Sequence, residues 1–289
     1  MLVNCRSHQD NRGMTRKLLF MAAMLLGLVS TALAEGPSTQ PAIPASGTTA
    51  KDALTASPRH GEWVDVPMGD VKIRTWVVYP ERKDKAPVVL VIHEIFGMSD
   101  WVQAVADQLG AEGYIAVAPD MLSGLGPDGG GTESLGDHVG ENIRKLTLDD
   151  QVKRLDAVRD YAIALPSATD KTATIGFCWG GGVSFAYATR QPSLNAAVVF
   201  YGTPPKKDAL ANIPCPILGC YGGDDARVTS TVDDTVKLMA DLKKQYDPHI
   251  FDGAGHGFLR QQQGRNGANL KASQQAWAQT VEFLKKNLE

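Results

Sequence analysis

Thr174-Ile175-Gly176-Phe177-Cys178-Trp179-Gly180-Gly181-Gly182 joins two kinds of structure within a few residues. The short run over 172–176 reads as a buried strand. A glycine-rich turn follows, and then a helix-like segment over 180–190. The apex of the turn is a cysteine. Gly-x-Cys-x-Gly at a strand-to-helix junction is the pattern of a nucleophile elbow, written with sulfur where serine is usual. Gly176 and Gly180 allow the sharp turn and the close approach of strand and helix. The thiol would stand at the amino end of the helix, where dipole and amides favour a thiolate.

Working outward, strands and helices alternate on both sides of this turn. Strands are expected over 62–66, 71–79, 87–93, 114–118, 172–176, 196–201, 216–221 and 249–251. Helices are expected over 99–110, 141–164, 180–190, 229–245 and 268–288. The first two strands read as a hairpin around Met68-Gly69-Asp70, and the run 87–93 is apolar throughout, as in a strand covered on both faces. The order predicts an α/β domain with a mostly parallel sheet of about eight strands and helices on both faces. Chemistry in such sheets gathers at the carboxyl ends of the strands.

The ends of the chain read differently. Met14-Thr15-Arg16-Lys17 is basic, an apolar run follows over 18–28, and Ala32-Leu33-Ala34 has a small-x-small pattern. Residues 1–34 are therefore read as a secretory signal peptide with a doubtful upstream start, Met14 being the better one. The alternative is an uncleaved anchor, although the run is short of the 20 or so residues that span a bilayer. This predicts an exported protein, periplasmic or secreted, with no stable membrane span after cleavage. Residues 35–58, rich in Pro, Ala, Ser and Thr, are expected to be a flexible lead. Residues 59–289 are expected to form one α/β domain. Without residues 1–34 the formal charge moves from -3 to -6, which argues against a nucleic-acid partner.

The cysteines are Cys5, Cys178, Cys215 and Cys220. Cys215 and Cys220 flank one apparent strand, which sets them roughly 16 Å apart on opposite faces. A disulfide needs Cα atoms within about 7 Å, so they are read as core. No Cys/His cluster has metal-ligand spacing, and neither a metal nor a cofactor is expected.

Four residues follow strands on the active side: Glu94, Cys178, Asp225 and His256. His256 lies in the glycine-rich loop Asp252-Gly253-Ala254-Gly255-His256-Gly257-Phe258, where core packing does not explain a histidine. It is the candidate base for Cys178. The acid that orients it should lie between them in sequence, and Gly222-Gly223-Asp224-Asp225 supplies two aspartates. Asp225 is the choice and Asp224 the runner-up. The order Cys, Asp, His is that of the elbow folds. The amides of Trp179 and Ile95 are candidates for an oxyanion hole. Phe96, Phe258 and Trp179 are candidates to line an apolar pocket, or ordinary core.

His93-Glu94-Ile95-Phe96-Gly97, Ala118-Pro119-Asp120, Gly176-Phe177-Cys178-Trp179-Gly180-Gly181, Gly222-Gly223-Asp224-Asp225 and Gly255-His256-Gly257-Phe258 together resemble the dienelactone hydrolase family (carboxymethylenebutenolidases) in order and spacing. The resemblance implies an α/β-hydrolase fold, a Cys178–His256–Asp225 triad, and a glutamate, Glu94, that holds or activates the thiol in exchange with the histidine. It implies a small lactone or ester substrate bearing a carboxylate, with Arg260 as one of two arginines that bind it. The second arginine, expected a few residues after Pro119-Asp120, is missing; Met121-Leu122-Ser123-Gly124 stands there. That departure leaves room for a general carboxylesterase or thioesterase, or for a non-catalytic binding protein on the same fold. The glycine-rich stretch 122–140 is expected to be either a lid or a mobile surface loop. A carboxylate beside the thiol would raise its pKa and keep it protonated at rest.

Overall fold

The computed structural model describes residues 41–289. The signal peptide expected over 1–34 lies outside the described residues. Eight strands form one sheet: β1 (Gly61–Met68), β2 (Val71–Val78), β3 (Ala86–Ile92), β4 (Ile115–Pro119), β5 (Ala168–Phe177), β6 (Ala196–Phe200), β7 (Ile217–Gly222) and β8 (Tyr246–Phe251). The helices are α1 (Ala50–Ala56), α2 (Asp100–Ala111), α3 (Thr132–Leu135), α4 (Val139–Ile143), α5 (Leu148–Ile163), α6 (Trp179–Tyr187), α7 (Ala226–Thr229), α8 (Val232–Asp241) and α9 (Ala268–Leu288).

The strand order is β1-β2-β4-β3-β5-β6-β7-β8. β2 alone runs against the others, pairing antiparallel with both β1 and β4. From β4 to β8 every pairing is parallel. β3, β4, β6 and β7 are buried along their whole length, because helices cover both faces and leave no side for polar alternation. Two apolar clusters result, one on each face. Leu90, Ile92, Leu155 and Val158 belong to one, and Val89, Val91, Leu109 and Trp277 to the other.

Three expectations change. The helix expected over 141–164 is two helices, α4 and α5. Thr147 breaks it: its hydroxyl accepts the Asp150 amide, and the Asp150 carboxylate accepts the Thr147 amide. That reciprocal cap satisfies amides a continuous helix would have paired itself. The stretch 122–140 is not a loose loop. Asp120 accepts hydrogen bonds from the amides of Leu122 and Thr132 and from the Thr132 hydroxyl, and Arg154 donates to the Ser123 carbonyl at 2.7 Å. The stretch is tied down beside β2, where Val71 packs against Gly124.

The third change concerns the expected flexible lead. Its described part carries α1, which packs on α2, with Ala50 buried and Ile43, Ala45 and Leu54 against the core. The Gly47 amide donates to the Arg260 carbonyl at 2.8 Å. The side-chain amides of Gln262 and Gln263 donate to the Pro44 carbonyl (2.8 Å) and the Ser46 hydroxyl (3.0 Å). The segment 43–56 is therefore a strap across the His256 side of the domain. Among the described residues no helix is long and apolar enough to cross a membrane.

Candidate active site

β5 ends at Phe177 and α6 begins at Trp179, so the whole reversal falls on Cys178, which takes φ 56°, ψ -114°. A non-glycine residue in that region costs of order 1–3 kcal/mol and persists only where its surroundings enforce it. Three glycines enforce it here. A Cβ on Gly176 would collide with the Gly180 carbonyl, one on Gly180 with the carbonyls of Ile92 and His93, and one on Gly181 with the Phe200 carbonyl. The backbone of α6 is thus seated against the ends of β3, β5 and β6. The Cys178 amide donates to the Phe200 carbonyl at 3.0 Å. Among the described residues, the amides of Trp179 and Ile95 donate to no backbone or side-chain acceptor. Both residues and Cys178 line a cavity of about 760 Å³ at the carboxyl ends of the strands.

His256 reaches this cavity from the loop after β8. Gly222 lets that loop lie on the end of β7, because a Cβ there would press on the Ala254 carbonyl oxygen at 2.5 Å. Asn269 holds the loop from behind, accepting the Gly255 amide and donating to the Gln261 carbonyl. His256 Nδ1 lies 2.5 Å from Asp225 Oδ2, and Asp225 is buried. The carboxylate accepts the Nδ1 proton, which leaves Nε2 as the free ring nitrogen. Burial alone would lower the His256 pKa. Interactions with Cys178 and Asp225 outweigh it and leave the pKa raised. Asp224 turns outward instead and accepts from Arg265 at 2.9 Å. Of the two aspartates, Asp225 is the one brought to the histidine.

Glu94 is buried and its carboxylate is committed to Arg260, whose Nε donates to Oε2 at 2.5 Å. Burial pushes the Glu94 pKa up, and the attraction of Arg260 pulls against that. The Arg260 guanidinium also stacks on the Phe96 ring, 4.8 Å from its centroid. Glu94 is thus paired with Arg260 here. One expectation is corrected. Phe258 does not line the cavity; it is fully buried between Phe200, Tyr201 and Phe251. Phe96, by contrast, is half-exposed and lines the cavity.

The other cysteines are not rivals to Cys178. Burial pushes the Cys215 thiol up to about 12 and raises that of Cys220 further, and all three described cysteines are free. The cavity also has walls that motif reading missed: Gln151 from α5, Tyr201 and Thr203 after β6, and Arg227 from α7. The rings of Tyr201 and His256 meet edge to face, with centroids 5.0 Å apart. Only Tyr201, next to an apolar strand end, carried any signal in the sequence.

A model of the dienelactone hydrolase family matches residues 73–288. The chain belongs to the dienelactone hydrolase family. Two relatives bear the name "putative carboxymethylenebutenolidase". The protein of Methylorubrum extorquens is 32% identical over 80% of this chain and 82% of its own. That of Saccharolobus solfataricus is 29% identical over 74% of this chain and 94% of its own. Among solved structures, a dienelactone hydrolase from Anabaena variabilis superposes with a TM-score of 0.63 at 22% identity, covering 80% of this chain and 99% of that one. A dienelactone hydrolase-like promiscuous phosphotriesterase from metagenomic libraries gives 0.69 at 23%, covering 80% and 99%. The fold is the α/β-hydrolase fold and the protein is a hydrolase of this family acting on a small molecule. The family match begins at residue 73, so the strap lies ahead of it.

Proposed function

We propose that this dienelactone hydrolase family member cleaves small carboxylic esters or lactones through Cys178. The observation that carries the reading is the conjunction at the elbow: a thiol, an Asp225-oriented histidine and two open amides around one cavity. His256 Nε2 takes the proton from the thiol as sulfur attacks the carbonyl carbon. The amides of Trp179 and Ile95 receive the oxyanion. Collapse breaks the C–O bond, and His256 returns its proton to the leaving alkoxide. In a lactone the alcohol stays tethered to the acyl group. His256 then takes a proton from water, the hydroxide attacks the thioester, and thiolate leaves as the acid forms. Asp225 holds the imidazole and offsets its charge throughout. Glu94 and Phe96 fix Arg260 on the β3 side of the cavity.

A broader ester or thioester range is the second reading. It is favoured by the missing arginine after Asp120 and by the commitment of Arg260 to Glu94. The test is hydrolysis of p-nitrophenyl acetate and of a dienelactone by the wild type and Cys178→Ala. A fall on the order of 10⁴-fold or more is expected, with Cys178 alkylated by iodoacetamide in the active protein. Cys178→Ala activity within tenfold of wild type would overturn the cysteine mechanism. Export rests on the leader-like pattern of 14–34, and fractionation of the producing cell checks it.

A further inference from the structure

His93 is a buried titratable side chain to which the proposed reaction gives no part. It directly follows β3 and is fully buried. Its two ring nitrogens meet different partners. Nε2 lies 3.1 Å from the Met121 amide, a group that can only donate, so Nε2 presents its lone pair there. The ring proton is then on Nδ1, which donates to the Glu94 carbonyl at 2.8 Å. Burial lowers the His93 pKa against the pull of Asp120, whose carboxylate lies 4.0 Å from Nε2. The ring is thus the neutral one that its two partners require. A buried histidine is usually ordinary core, satisfied by whatever lies nearest. Here both partners are backbone groups of segments that build the site. Met121 stands in the stretch where the resemblance expects an arginine, and what the exit of β4 supplies to His93 is a main-chain amide.

The carbonyl that His93 holds belongs to the same peptide unit as the Ile95 amide. In a trans peptide the C=O and N–H point in opposite directions. The Glu94 carbonyl also accepts the Gly97 amide at 3.1 Å. Two donors on that oxygen resist rotation of the peptide, and the Ile95 N–H is left on the side away from the ring, without a protein acceptor, in a residue that lines the cavity. The second open amide is tied to the same ring. The Trp179 indole stacks on His93 with centroids 5.6 Å apart and planes 23° from parallel, and Gly180 backs onto the carbonyls of Ile92 and His93. We infer that His93 is a positioning residue that locks the Glu94–Ile95 peptide and so aims the Ile95 amide at the oxyanion. This rests on the hydrolase reading above and adds what holds the oxyanion hole. The ring suits the task because its donor and acceptor are fixed relative to each other, so the Met121 amide on one nitrogen sets the proton on the other.

The experiment measures, on the full-length protein, kcat/KM for p-nitrophenyl acetate, the rate of Cys178 alkylation by iodoacetamide, and the Ile95 amide resonance by NMR. Alkylation uses the thiol and His256 but develops no oxyanion, so it separates the hole from the elbow. His93→Phe keeps a flat ring against Trp179 and removes both ring nitrogens. Its hydrolysis should fall at least tenfold, towards the roughly 10²–10³-fold that loss of one oxyanion donor costs. Alkylation should stay within twofold of wild type, and the Ile95 amide resonance should shift. His93→Gln, whose amide can donate to the Glu94 carbonyl and accept from Met121, should recover part of the loss. In the wild type, independently of how the variants fold, nitrogen shifts should place the His93 proton on Nδ1. A fall of less than tenfold in folded His93→Phe would overturn the proposal. So would alkylation that falls in step with hydrolysis, or a proton found on Nε2. If the wild type hydrolyses no ester while the Ile95 resonance still shifts in His93→Phe and recovers in His93→Gln, the positioning stands and the hydrolase reading fails.

Discussion

The elbow and the strap serve the same cavity by opposite means. At Cys178 the chain is held by backbone against backbone, with glycines where any Cβ would collide with a carbonyl. In the segment 43–56 it is held by a backbone hydrogen bond at Gly47, the side chains of Gln262 and Gln263, and one short helix. The first arrangement leaves a small atom little freedom and gives precise aim. The second steadies a long side chain, Arg260, whose charge is already satisfied by Glu94. Rigidity is concentrated where the proposed reaction forms a bond, and the wall is fastened more loosely.

The largest effect expected from this contrast is at Gly180. An alanine there would press into the carbonyls of both Ile92 and His93, and backbone atoms at the ends of buried strands cannot give way. Destabilisation on the order of 3 kcal/mol is expected. For a domain of this size that lowers Tm by roughly 6–12 °C, and hydrolysis should be lost because Cys178 is displaced. A Gly180→Ala protein with wild-type Tm and rate, measured by thermal melt and ester hydrolysis, would show that the elbow is not close-packed as described.

Asp225→Asn probes the partner that the elbow requires. The rate should fall on the order of 10³–10⁴-fold, since an amide does not hold the imidazole in its working tautomer. The pH profile carries a sign. The His256 pKa is raised, despite burial that would lower it, by Cys178 and Asp225. On the proposed mechanism neutral His256 is the base, so wild-type kcat/KM should rise with pH along a limb lying above the ordinary histidine value of about 6.5. Removing the Asp225 charge should move that limb to lower pH. For stability, a raised histidine pKa contributes fully below the unfolded value and is lost as pH rises through the folded one. Wild-type Tm should therefore drop from pH 6 across the window above 6.5 more than Asp225→Asn does. A limb that stays in place in the variant would mean that Asp225 does not set the His256 pKa.

On the strap, Gly47→Val is expected to be mild. A Cβ at Gly47 would lie 2.9 Å from Arg260 Cγ, the flexible part of a side chain that can shift. Activity should fall by no more than about tenfold, some 1.4 kcal/mol, with Tm nearly unchanged. A loss as large as that at Gly180 would show that both regions are fastened alike.

The contrast also explains what could be read in advance. The sheet was legible because β3, β4, β6 and β7 are apolar throughout, a pattern that needs no knowledge of neighbours. The elbow was legible because its glycines answer a local collision. The strap was not, because a Pro-, Ala- and Ser-rich stretch looks the same whether or not a distant carbonyl accepts its amides. Phe96 and Phe258 are both aromatic residues beside glycine turns, and only the packing tells that one faces the cavity and the other the core.

The smallest effect is expected at Asp224, and it decides between two adjacent carboxylates. Asp224 and Arg265 form a half-exposed pair at 2.9 Å, worth at most about 1 kcal/mol. The pair does rest against the His256 loop, for a Cβ on Gly255 would lie 3.1 Å from Arg265 Nε. Loop position, however, is already set by Asn269 and by the contact of Gly222 with Ala254. Asp224→Asn should thus change ester hydrolysis by less than about twofold, within the range of a weak surface pair. Its acid limb should coincide with that of the wild type, whereas that of Asp225→Asn moves. If instead both variants shift the limb together, the two carboxylates act on His256 as one group, and the separation between a buried orienting acid and a surface tether would not hold.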